Sequence, residues 1–228
     1  MSSNRSAGFP LPDPQTLQRL NARLVLQSDP DFPRGLRELT DPPHFLTVAG
    51  QLPPTGVAIV GSRHPPKVAA EFAFALAQSA AEPVISGLAT GVDTAAHRGA
   101  LAAGTPTLAY LGNGIANVYP PENRALALQI IANGGGLASA EMPQDAVSDR
   151  ALLRRDSFQA AHARAVIFVC SEANGGAMHT LRFAVQLRRR LFVLAPKDGS
   201  EYFGNREALA SGAAELPWNI EEALHMLH

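Results

Sequence analysis

Val57-Ala-Ile-Val-Gly-Ser-Arg63 is the stretch on which the fold turns. Its first four residues are apolar and mostly β-branched, which reads as a buried strand, and Gly61-Ser62-Arg63 ends that strand on a sharp turn. Pro65 and Pro66 stop extended structure, and Lys67 to Ala80 reads as a helix. Strand, glycine turn and helix form the front half of an open α/β unit. In such sheets ligands bind beyond the carboxyl ends of the strands, where helix N-termini offer free N–H groups to anions. Arg63 stands at that edge, so the stretch suits a phosphate site. It equally suits an ordinary structural turn.

Outward from this unit the pattern repeats. Strands are expected at 57–60, 83–86, 107–111, 137–140, 165–170 and 191–195, with helices at 67–80, 93–103, 121–132, 149–162 and 177–189 between them. Six strands with intervening helices predict an α/β fold, a mostly parallel, doubly wound sheet. Residues 199–228 read as a loop and a terminal helix around 220–227. On the N-terminal side, residues 1–12 read as a loose arm. Asp13 can cap a helix with Pro14 at its first position, running to about Leu26. From 28 to 54 the prolines predict an irregular lead-in, packed on the core through Leu36, Leu39, Phe45, Leu46 and Val48. The expected organisation is therefore a small N-terminal extension, 1–54, and a main domain, 55–228.

The 228 residues are 46% hydrophobic and 17% charged, enough for a sizeable core and against global disorder. A net charge of -1 excludes a generally basic nucleic-acid coat, so any polyanion site must be local. The single cysteine, Cys170, excludes an internal disulfide framework and a cysteine-based zinc site. No apolar run is long enough to span a membrane, and Met1-Ser-Ser-Asn-Arg-Ser lacks a signal-peptide pattern, so a cytoplasmic protein without a membrane partner is expected.

Three further strand ends carry polar and glycine-rich turns. Ser86-Gly-Leu-Ala-Thr-Gly-Val-Asp93-Thr-Ala-Ala-His97 has two glycines, Gly87 and Gly91, that allow close backbone approach, and Asp93 and His97 share a helix face. This reads either as a phosphate or nucleoside cradle with Asp93 and His97 on its wall, or as a capping Asp and a structural His. Gly112-Asn113-Gly114 leads to Tyr119, whose ring can stack on a base or simply pack the turn. Asn174-Gly175-Gly176 opens a helix and suits backbone contact with an anion. Basic residues gather at Arg150, Arg154, Arg155 and Arg164, and again at Arg182, Arg188, Arg189, Arg190 and Lys197; those at helix C-termini also fit a structural role. No nucleophile–base pair, metal-ligand spacing, P-loop or G-x-G-x-x-G fingerprint occurs, so no catalytic residue, metal or cofactor is expected.

Taken together, Val57–Arg63, Ser86–His97 and Gly112–Asn123 resemble the DprA/Smf family of DNA-processing proteins. The pattern is a strand ending in Gly-Ser-Arg, then S-G-x-A-x-G-[IV]-D-x-x-A-H, then G-x-G-x-x-x-x-Y-P-x-E-N. The resemblance runs from about residue 29 to 214. It implies an extended Rossmann-like domain that is not an enzyme, binds single-stranded DNA, dimerises and hands the strand to a RecA-type recombinase in natural transformation. It further implies that Gly61, Ser62 and Arg63 contact backbone phosphate, that Ser86, Gly87, Gly91, Asn113 and Gly114 line the same pocket, and that Arg155, Gly175 and Gly176 face the strand.

Two segments depart from the family pattern. The usual R-N-R aligns with Arg155-Asp156-Ser157, and the usual S-G-[ST]-x-x-T-A with Gly175-Gly-Ala-Met-His-Thr-Leu181. Fewer cationic and hydroxyl donors weaken binding to a polyanion. The resemblance also leaves the C-terminal winged-helix-like domain of many members without a counterpart. An alternative is a nucleotide-binding sensor of the wider superfamily, with a mononucleotide in the same cleft. A phosphoribohydrolase is disfavoured because Asn174-Gly-Gly is not followed by the Gly-Thr and catalytic Glu of those enzymes.

Overall fold

In the computed structural model, which describes residues 9–227, Val57–Val60 is buried along its whole length. Val57 and Ile59 face one core and Ala58 and Val60 the other, the alternation required of a strand covered on both faces. The strands in chain order are β1 (Ala22–Leu26), β2 (Phe45–Gly50), β3 (Val57–Val60), β4 (Val84–Ser86), β5 (Thr107–Tyr110), β6 (Gly136–Ser139), β7 (Ala165–Phe168), β8 (Arg190–Leu194) and β9 (Ala214–Leu216). They form one nine-stranded sheet of order β1-β2-β6-β5-β4-β3-β7-β8-β9. From β3 to β9 all pairings are parallel; β1 and β2 are antiparallel additions beside β6.

The chain winds from β3 outward through β4, β5 and β6, then returns to the other side of β3 and winds outward through β7, β8 and β9. The sheet is thus doubly wound, with its topological switch point at β3 and β7. Helices α2 (Lys67–Ser79), α3 (Val92–Ala102), α4 (Arg124–Ala132) and α8 (Ile220–Leu227) cover one face. Helices α5 (Asp149–His162), α6 (Ala177–Gln186) and α7 (Phe203–Ala210) cover the other. In α2 the buried residues Ala69, Phe72, Ala73, Leu76 and Ala77 fall at helical spacing and form the stripe that meets the sheet. Gly99 lets α3 approach α2 closely, since a Cβ there would run into the Phe74 carbonyl. Among the described residues no helix is long and apolar enough to cross a membrane.

The N-terminal lead-in differs from its expected form. Helix α1 (Pro14–Arg19) stops well short of Leu26, because Asn21 adopts a left-handed conformation and Ala22–Leu26 then pairs with Phe45–Gly50. Val25 is fully buried there, and its burial outweighs continuation of the helix. The segment expected to be irregular contains β2, whose first five residues are all buried and hydrogen-bonded between β1 and β6. The prolines at 42–43 and 53–54 bracket that strand instead of marking a continuous loop. Phe9 stacks on His44, with ring centroids 4.2 Å apart; the rest of the expected N-terminal arm, residues 1–8, lies outside the described residues.

Candidate functional site

At the carboxyl ends of β4, β3 and β7, two adjoining cavities of about 320 and 310 Å³ share Arg63, His64, Ala89 and Arg155. They make one groove at the switch point, where an open α/β sheet offers its ligand crevice. The cavity on the β5 side is walled by Tyr119, Pro120 and Leu152. The one on the β7 side is walled by Gly61, Ser62, Asp156, Gln159, Gly175 and Gly176.

The loop after β3 is fixed through its backbone. Ser62 N–H donates to the Cys170 carbonyl (2.7 Å), the Ser62 carbonyl accepts from Val92 N–H (3.1 Å), and the Thr90 hydroxyl donates to the Arg63 carbonyl (3.2 Å). With the Ser62–Arg63 loop so held, Arg63 is exposed and lines both cavities. Gly91 has φ +77°, and a Cβ there would collide with the Ser62–Arg63 backbone. It is the close approach of these two loops that requires a glycine.

The loop after β4 behaves differently from a free phosphate cradle. Asp93 Oδ2 accepts from Gly87 N–H (3.1 Å) and Ala89 N–H (3.2 Å), so a carboxylate of the chain itself occupies those donors. Asn123 Nδ2 donates to the Leu88 carbonyl (2.8 Å) and completes the clamp. Arg155 is buried against this loop, 5% exposed, with Nη1 3.5 Å from Asp93 Oδ2 and Nε 3.3 Å from Asp156 Oδ1. Burial raises the Asp93 carboxyl above its usual value, with Arg155 opposing the rise. Burial also pushes Asp156 up to about 6; Arg155 and Arg63 oppose and Asp93 reinforces that shift. Two carboxylates therefore surround one buried guanidinium, and Arg63 remains the exposed cation of the groove.

Gly61, Ser62, Arg63, Gly87, Asp93, Tyr119, Arg155, Gly175 and Gly176 come together around the two cavities. Five other expected site residues, Gly91, Ser86, Asn113, Gly114 and His97, do not line them; Gly91 instead packs on the Ser62–Arg63 backbone. Ser86 Oγ donates to the Ile59 carbonyl (2.7 Å) and ties β4 to β3. Asn113 donates to the Gly114 and Asn117 carbonyls within its own turn, and Gly114 packs on the Met142–Pro143 backbone. His97 is fully buried: Thr107 spends its proton on the Val84 carbonyl, so His97 Nδ1–H donates to Thr107 Oγ1 (2.7 Å). Burial holds this imidazole neutral, lowering its pKa to about 3.

The basic residues near the C-terminal half lie elsewhere. Arg189 pairs with Glu38, Arg190 donates to the Leu227 and Met226 carbonyls, and Arg182 pairs with Glu207. Among the positions not expected from the sequence are Gln159 and Ser171, which line the β7 side of the groove. They sit in a helix interior and at a strand end, where no motif distinguishes them.

The family model for DNA recombination-mediator protein A matches residues 23–228. The chain belongs to that family. A Smf protein from Synechocystis is 32% identical over 86% of this chain and 52% of its own length, so the chain spans about half of that relative. The solved structure of DNA processing protein A from Streptococcus pneumoniae superposes with a TM-score of 0.83 at 26% identity, covering 93% of this chain and 77% of that one. That of DNA processing protein A from Helicobacter pylori, described for its single-stranded DNA binding mode, superposes with a TM-score of 0.80 at 27% identity, covering 91% and 97%. The Rossmann-like, mostly parallel architecture of the family is thus the architecture of this chain.

Proposed function

We propose that the groove binds the backbone of single-stranded DNA and that the chain processes DNA in recombination and natural transformation. The observation that carries this reading is the placement of Arg63. The Ser62–Arg63 main chain is held by three hydrogen bonds at the switch point, while Arg63 lines both cavities and its side chain is exposed, with no hydrogen bond or ion pair among the described residues. A fixed, solvent-facing cation beside exposed Tyr119 provides the two elements of sequence-tolerant strand binding, phosphate neutralisation and a stacking surface. Family membership and the single-strand binding described for the Helicobacter pylori protein support the same ligand. Transfer of the strand to a RecA-type recombinase, self-association into a homodimer and a cytoplasmic location complete the proposal.

The test is fluorescence anisotropy of labelled oligo-dT at low salt, with a mononucleotide as competitor. Oligonucleotide binding that resists the mononucleotide is expected. Absence of oligonucleotide binding, with saturable uptake of the mononucleotide, would replace this reading with that of a nucleotide sensor.

A further inference from the structure

Resting on the single-strand reading, we propose that the edge formed by the amino ends of β8 and β9 carries a second phosphate-backbone site. One chain then holds two segments of single-stranded DNA, one at each end of its parallel strands.

The site is a cavity of about 400 Å³ lined by Val185, Arg188, Arg189, Arg190, Leu191 and the Ser211–Ala214 turn. No acidic residue lines it among the described residues. Its walls are the turn between α6 and β8 and the turn between α7 and β9. Parallel winding puts both turns at the opposite edge of the sheet from the groove. A fourth arginine joins from the lead-in. A Cβ on Gly35 would come within 2.6 Å of Arg189 Nη2, which places exposed Arg34, its neighbour in the chain, at the border of the cluster.

Two observations separate this cluster from the basic residues that ordinarily finish a helix. The first is the amount of charge. Four guanidiniums are set against Glu38, which pairs with Arg189, and against the C-termini of α6 and α7. Each helix end carries about half a negative charge, so an excess of about two positive charges remains. Glu207, a further acid near the cavity, pairs with Arg182 instead. The second is the backbone of Arg188, whose φ is +52°. It stands just past α6, where a left-handed residue is ordinarily glycine. An arginine there accepts backbone strain, and its exposed side chain makes no hydrogen bond or ion pair among the described residues. Strain of this kind points to a use for the side chain.

Phosphate is the anion that suits the cluster. A guanidinium presents paired N–H donors that match phosphate oxygens. Open space beside Gly212 lets a ligand approach the turn, and Val185, 44% exposed, offers an apolar surface to a sugar or base. A strand lying in the groove repeats its phosphate at every nucleotide, so a second segment of the same polymer supplies the ligand without any new partner.

Titration at low salt with labelled oligo-dT of about six nucleotides, a length within one single-strand site, counts the strands bound per chain. Counted per chain, the result does not depend on self-association. Wild type should bind two strands and the Arg34→Ser/Arg188→Gly variant one. Arg188→Gly puts glycine at a left-handed position, so the substitution relieves the backbone there. In Arg63→Ala the loss should fall on the groove, and combining the three substitutions should abolish binding. One strand per chain in wild type, removed by Arg63→Ala alone, overturns the second site and leaves the groove. Two strands per chain in the Arg34→Ser/Arg188→Gly variant overturns it as well. One strand per chain that only that variant removes overturns the groove reading beneath the proposal. One strand per chain, with poly-glutamate binding that the variant loses, assigns the edge to an acidic protein segment and overturns its nucleic-acid reading.

Discussion

The guanidinium of Arg155 occupies the space that a side chain at Gly87 would fill: a Cβ there would land on Nη1. Residues distant in the chain thus share one volume, and the Gly87 turn gives up its side chain so that a cation can lie beside Asp93. Gly87→Ala should displace Arg155 and overpack the loop, lowering unfolding free energy by about 1–3 kcal/mol. Urea denaturation of wild type and variant measures it. Equal midpoints would mean that Arg155 is not seated there.

Asp156 makes oligo-dT binding respond to pH. Its carboxyl, pushed up to about 6 by burial, is ionised at pH 7.5 and largely neutral at pH 5, so its repulsion of phosphate fades as pH falls. Asp156→Asn should bind oligo-dT more tightly than wild type at pH 7.5, roughly fivefold for one nearby charge. The two proteins should converge by pH 5. A ratio constant across that range would show that Asp156 does not face the strand.

His162 ties the end of α5 to the lead-in. Tyr110 Oη lies 2.8 Å from Nδ1, and Nε2 lies 2.9 Å from the Pro53 carbonyl, an arrangement that suits a neutral ring with Nε2–H donating and Nδ1 accepting. Burial lowers its pKa from 6.5 to about 4. A pKa depressed in the folded state means that the unfolded chain binds the proton more readily. The stabilisation is therefore complete above about pH 6.5 and is lost as pH falls toward 4. His162→Gln should be less stable than wild type at pH 7.5, and the gap should narrow by roughly 1.4 kcal/mol per pH unit below 6.5. Chemical denaturation at pH 7.5 and pH 5 reads this directly; a gap of constant size would contradict a neutral buried ring.

Much of this architecture is legible before any coordinates. The β-branched run 57–60, the glycine turn and the prolines before α2 are local signals, and they coincide with β3 and its loop. The groove sits at the expected strand ends because parallel winding puts all those ends on one edge. What escaped depends on tertiary partners. Ala22–Leu26 becomes a strand only because Phe45–Gly50 is there to pair with it. Asp93 and His97 share a helix face by spacing, yet one seals a loop and the other disappears beneath it, and no periodicity separates the two. Gln159 reaches the edge of the groove only through the packing of α5, which residue type alone does not reveal.

The central claim is that Arg63 is the exposed phosphate contact of the groove. Its most direct test is the slope of log Kd for oligo-dT against log salt concentration, in wild type and Arg63→Ala. Arg63 is exposed and its guanidinium makes no hydrogen bond or ion pair among the described residues, so the variant should fold normally. Arg63→Ala should bind more weakly, with a slope shallower by about one phosphate equivalent. An unchanged slope and affinity would place the strand elsewhere on the molecule.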